Sequence, residues 1–151
     1  MKKVRQMQAA TLAMLVIANA AYASPKDDVQ QFVTSCIGTL PDFAKLDQSL
    51  QSTGFVKVSE RQWSRRSDAA VFMIQETSDR LVCMLGLTGN YVSEFTTGIT
   101  DILAEKTLGR YEQKQYQGRT LYLLQAKSGL TIIEVTPPFG ATTFLMANSQ
   151  K

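Results

Sequence analysis

Residues 70–87 read AVFMIQETSDRLVCMLGL, and they decide the fold. Ala70 to Glu76 is a continuous apolar strand. Thr77-Ser78-Asp79 makes a tight connection, and Arg80 to Leu87 forms a second strand. Two such runs flanking a short polar turn predict a β-hairpin. Strand side chains alternate, so Leu81, Cys83, Leu85 and Leu87 share one face. Cys83 therefore points wherever that face points.

The only other cysteine is Cys36, and its surroundings are helical. Ser24 can cap a helix, Pro25 suits its first turn, and Asp27 stands where a reciprocal capping acid belongs. Val29, Phe32, Val33, Cys36, Ile37 and Leu40 then recur at helical spacing and form one apolar stripe. Pro41 ends or kinks this helix. A second helical piece follows, with Phe43, Leu46 and Leu50 inward and Gly54 as its stop. If the Cys83 face of the hairpin meets the first helix, Cys36 and Cys83 can form a disulfide. The 47 residues separating them would make it a structural bond, and no Cys-x-x-Cys signals redox catalysis.

Outside the hairpin, Phe55–Ser59 reads as a short strand and residues 60–69 as a polar, basic connection. Thr88-Gly89-Asn90 breaks the chain before a helix from Tyr91 to Leu108. Its inward face is Val92, Phe95, Ile99, Ile102 and Leu103, and Gly109 is its stop. Gly98 costs that helix about 1 kcal/mol relative to Ala and would be explained by close packing. The last third is β-rich, with strands at Tyr111–Tyr116, Thr120–Ala126, Leu130–Thr136 and Thr142–Ala147. Turns fall at Gln117-Gly118, Lys127-Ser128-Gly129 and Pro137-Pro138-Phe139-Gly140. A polar tail after Ala147 reads as disordered. The predicted class is α+β, in the order α-α-β-β-β-α-β-β-β(-β): an antiparallel sheet with helices on one face and one disulfide.

Residues 1–23 read as a signal peptide. Lys2, Lys3 and Arg5 form a positive start, Ala9–Ala18 is apolar, and Ala21-Tyr22-Ala23 offers a small-x-small cleavage site. Cleavage would leave residues 24–151 as a single exported domain, periplasmic or secreted, with no membrane span. That compartment also favours the disulfide. Of the 16 basic residues three lie in the leader, and none of the 13 acidic ones do, so the remainder is formally neutral. Long-range attraction to nucleic acid is then unsupported.

The chain has no His. Ser-His-Asp triads, Cys-His pairs and histidine metal sites are excluded, and no cofactor motif is present. Four places remain open. Arg61, Trp63, Arg65 and Arg66 interleave guanidinium groups with the only Trp. They suit an anion, a glycan or a protein partner, or else form a solvated hairpin edge with Trp63 folded onto the sheet. Pro137, Pro138 and Phe139 make a stiff loop, either a contact tip or a simple bend with Phe139 capping the core. Glu134 sits in an apolar strand on the face of Ile132, where it could do acid–base work or pair with an Arg. Gly86–Asn90 precedes a helix N-terminus that can hold an anion, although ordinary turn chemistry explains it better.

These features favour an exported, noncatalytic binding domain acting on a protein partner in the cell envelope, such as an inhibitor, an immunity-type factor or an assembly accessory. The alternatives are an anion or glycan binder using the Arg61–Trp63–Arg66 cluster, and a carboxylate-dependent envelope hydrolase.

Overall fold

Ser24 opens the first helix as its spacing requires: its Oγ accepts the Asp27 N–H, and the Asp27 carboxylate accepts the Ser24 N–H in return. The structure is a computed structural model that describes residues 23–40, 42–106, 110–126 and 129–150. The expected signal peptide up to Tyr22, the stops at Pro41 and Gly109, and Lys127-Ser128 of one turn lie outside the described residues.

Helix α1 (Pro25–Phe32) runs on through a π-helical turn, Val33–Ile37, that carries Cys36. Helix α2 is Leu46–Gln51. Four strands follow: β1 (Val56–Ser59), β2 (Gln62–Arg65), β3 (Ala70–Glu76) and β4 (Arg80–Thr88). Helix α3 (Val92–Lys106) leads to β5 (Tyr111–Tyr116), β6 (Arg119–Ala126), β7 (Gly129–Val135) and β8 (Thr142–Gln150).

All eight strands form one antiparallel sheet in the order β1-β2-β3-β4-β8-β7-β6-β5. Two meanders are thus joined side by side, and α3 carries the chain from one to the other. Edge strand β1 exposes Val56 and Val58, and an irregular register between Lys57 and Ser59 keeps it short. A bulged, lysine-bearing edge resists pairing with other chains.

The core lies between the helices and one sheet face. Val29, Phe32, Val33 and Cys36 meet Phe95, Ile99, Ile102 and Leu103 of α3. Beneath them lie Phe72, Cys83, Leu85, Tyr122, Ile133, Leu145 and Ala147. Tyr122, wholly buried, donates its hydroxyl to the Thr96 carbonyl at 2.9 Å, so its one polar atom is satisfied. Cys36 and Cys83 are joined, with Cα atoms 5.7 Å apart. The α+β class, the antiparallel sheet and the disulfide agree with the sequence reading.

Two elements differ from it. Residues 60–69 contain a strand, β2, whose four residues are too few for alternation to stand out among polar neighbours. The polar tail is also strand: Asn148 and Ser149 pair with Val82 and Leu81 on one side and with Ile132 and Thr131 on the other. Ladder bonds come from the backbone, so a strand held between two neighbours tolerates polar side chains.

Gly98 is explained by close approach. A Cβ at this position would lie 3.1 Å from both methyl carbons of Val29, so the Val29 side chain of α1 packs directly onto the backbone of α3 there. Gly98→Leu is expected to destabilise the domain by about 1–3 kcal/mol through overpacking. Urea denaturation measures this, and an unchanged midpoint would show that the helices part without penalty.

Candidate functional site

The Arg–Trp cluster does not form one surface, because strand alternation in β2 divides it. Trp63 and Arg65 point under the helices, and Gln62 and Ser64 point the other way. Trp63 is only 3% exposed. Its indole N–H donates to Asp47 at 2.5 Å, and the Lys57 ammonium lies 5.3 Å from its ring. Lys57 also pairs with Asp47 at 2.7 Å.

Arg65 is buried, bonds Asp28 at 2.7 Å and Asp68 more closely, and sits over the Phe55 ring. Arg61 pairs with Glu76, and both Arg61 and Arg66 are exposed. The expectation of a stacking surface for an anion or sugar is therefore corrected: the aromatic ring and one guanidinium are structural.

The Arg65 cluster has uneven electrostatics. Burial pushes the Asp28 carboxyl above the ordinary carboxylate range, and the Arg65 bond only partly counters it. Burial acts the same way on Asp68, but there the Arg65 hydrogen bond and the Ala70 N–H outweigh it and hold the carboxyl below that range. One cation thus serves two carboxylates in different surroundings.

The helix α3 entrance is likewise self-satisfied. The Tyr91 N–H donates to Thr143 Oγ1 at 3.0 Å, and the Gly89 N–H donates to the Ala141 carbonyl at 2.7 Å. Gly89 has φ +132°, a value that suits glycine. Turn chemistry accounts for this segment. Glu134 lies on the face of Ile132, as alternation requires, and accepts a bond from Arg119 at 2.8 Å. Among the described residues, no three His, Cys, Asp or Glu side chains gather to hold a metal.

The remaining sequence candidate is the stiff loop, and here the geometry is distinctive. The Phe139 N–H donates to the Thr142 carbonyl at 2.9 Å, and the Thr142 N–H donates back at 3.2 Å. Between them Gly140, at φ +63°, makes the two-residue turn that such a hairpin needs. Pro137 and Pro138 fix the approach. Phe139 does not cap the core. It is 84% exposed, held out on a braced loop.

Beside it lies the sheet face on which, among the described residues, no helix packs. Cross-strand register places Met73 opposite Met84, Met84 opposite Met146, and Glu134 on the far side of Met146. The neighbouring row sets Val71 opposite Gly86 and Gly86 opposite Phe144. A Cβ on Gly86 would come within 2.9 Å of the Phe144 ring, so this glycine makes room for the ring on the open face. The Met73, Met84, Met146 and Phe144 side chains line a groove of about 510 Å³, with Pro137, Pro138, Phe139 and Arg119 along its margin. Comparison with known proteins finds no matching family model, no matching curated protein and no matching solved structure.

The methionine row was not singled out from the sequence, although a signal for it exists. AVFMIQE and RLVCMLGL are apolar at consecutive positions rather than alternate ones. Strands of that kind are apolar on both faces. Among the described residues only one face of this sheet meets helices, so the other presents half-buried Met73, Met146 and Phe144 outward, with Met84 buried between them. Methionine is unbranched and polarizable, and it moulds to varied partners.

Proposed function

We propose that this chain is an exported, noncatalytic binding domain that engages a protein partner in the cell envelope through the open face of its sheet. One observation carries the reading: Phe139 is held in solvent on a proline-braced hairpin beside a methionine-lined groove. A large aromatic side chain in water forgoes about 1.5–3 kcal/mol of burial. Fixing it beforehand lowers the ordering cost when a partner covers it. The leader-like segment and the disulfide support export, since such bonds persist in oxidising compartments. Among the described residues no helix is long and apolar enough to cross a membrane.

The test is site-specific photocrosslinking in the envelope of a producing cell. A photoreactive residue at position 139 or 146 is expected to yield adducts with another protein. The same group at position 105, exposed on α3 on the other side of the sheet, is expected to yield none. Foreign adducts at 105 alone, or at no position, would remove the reading.

A further inference from the structure

We infer that, when no other protein occupies it, the open face holds a second copy of this chain across a two-fold axis, with Phe139 of each copy seated in the methionine groove of the other. This occupant presupposes that the face is a binding surface and names what fills it.

Shape comes first. Projection and recess lie side by side on one face: Phe139 is 84% exposed and stands at the margin of the groove formed by Met73, Met84, Met146 and Phe144. A surface that carries both members of a fitting pair meets the geometric condition for an isologous contact, in which each copy gives and receives the same side chain.

Charge agrees. The ionic side chains of β5, β6 and β7 on this face are matched within one chain: Arg119 with Glu134 at 2.8 Å and Lys114 with Glu112 at 3.2 Å. With these pairs made internally, and Arg80 of β4 paired with Asp79 at 3.1 Å, two such faces carry little net charge with which to repel one another. Apart from its leader-like segment the chain is formally neutral as well.

Area sets the strength. The face spans β3, β4, β8, β7 and β6. At about 4.8 Å between strands and about 3.4 Å per residue over about six residues, it measures roughly 24 by 20 Å. Two copies then cover about 1,000 Å², near the lower limit for a specific contact and about half of what permanent dimers begin with. Sheets stacked face to face lie about 10 Å apart, which leaves room for the interdigitating methionines. The dimer is reversible, and it is noncovalent, because both cysteines are spent within the chain.

Sedimentation of the purified, oxidised protein over a concentration series tests this. A dimer that dissociates on dilution is expected. Phe139→Asp should raise its dissociation constant about tenfold or more, as loss of a central aromatic anchor does. It should leave the circular dichroism, and the melting temperature at dilutions where both proteins are monomeric, unchanged, because Phe139 is outside the core. An isotope-filtered nuclear Overhauser experiment on a mixture of methyl-labelled and unlabelled protein should connect Phe139 of one copy to methionine methyls of the other.

A monomer at every concentration overturns the inference. So does a dimer indifferent to Phe139→Asp, since that places the contact at a sheet edge. Foreign photo-adducts at 139 or 146 from a chain that is monomeric when pure leave the proposed function standing and remove the dimer. A Phe139-dependent dimer without foreign adducts does the reverse.

Discussion

Replacing Cys36 and Cys83 together by alanine is expected to lower stability by about 4 kcal/mol, the denatured-state entropy recovered when a cross-link of this length is removed. The bond spans 47 residues and joins the π-helical turn after α1 to β4, a strand in the middle of the sheet. Both cysteines are fully buried, so the substitution also leaves small voids that add to the loss. Against a total of about 5–15 kcal/mol for an ordinary domain, this is a large fraction. Urea denaturation should show the midpoint falling by about 2 M, taking a slope of roughly 2 kcal/mol per molar. A loss below about 1 kcal/mol would mean that helix packing alone fixes the same arrangement. It would also remove the energetic reason for an oxidising compartment.

Arg65→Leu is expected to cost about 3–5 kcal/mol at neutral pH, because it strands buried carboxylate without its counter-charge. Asp28 is 2% exposed, and Asp68 keeps only its Ala70 amide. Asp28→Asn should cost far less, since Arg65 keeps Asp68 and the amide oxygen can still accept its bond.

The two arginine backgrounds also differ in the size of their pH dependence. In the native protein Asp68 lies below the ordinary carboxylate range. Its stabilisation is therefore present above that range and is lost as pH falls through its own lower value. Asp28 is shifted upward and acts in the opposite sense, contributing at low pH and losing that contribution as pH rises. Without Arg65 both carboxyls become easier to protonate. The variant should then gain stability between about pH 7 and pH 4, where the native protein has no such gain from Asp68. Thermal melts across that range decide the matter. Parallel curves for the two proteins would show that Arg65 does not govern these carboxyls.

How much was legible in the sequence depended on what each signal measures. The hairpin of β3 and β4, the capped first helix and the cysteine pairing were all readable, because periodicity and compartment chemistry are local or pairwise properties. Gly98 could be flagged as costly, but only Val29 in another helix explains it. Trp63 folded against the sheet was one of the two readings open from the sequence, but the burial of Arg65 was not legible, because residues 60–69 read as a polar connection and a loop has no inside. Phe139 was singled out, while its exposure depends on the Phe139–Thr142 pairing, which no spacing rule describes. The methionine row required the order of strands. Met84 and Met146 are 62 positions apart in sequence yet directly opposite in the sheet.

That strand order has a consequence for how the molecule is made. β8 follows every other strand in the chain but occupies an interior position, zipped to β4 along Thr88 to Arg80 and to β7. Until residues 142–150 arrive, two half-sheets wait with raw edges facing each other. A chain cut short of them would be a sticky half-product rather than a trimmed domain. Closure of the sheet thus waits on β8, and a peptide copy of Thr142–Gln150 supplied in trans would be the natural trap for a chain that lacks it.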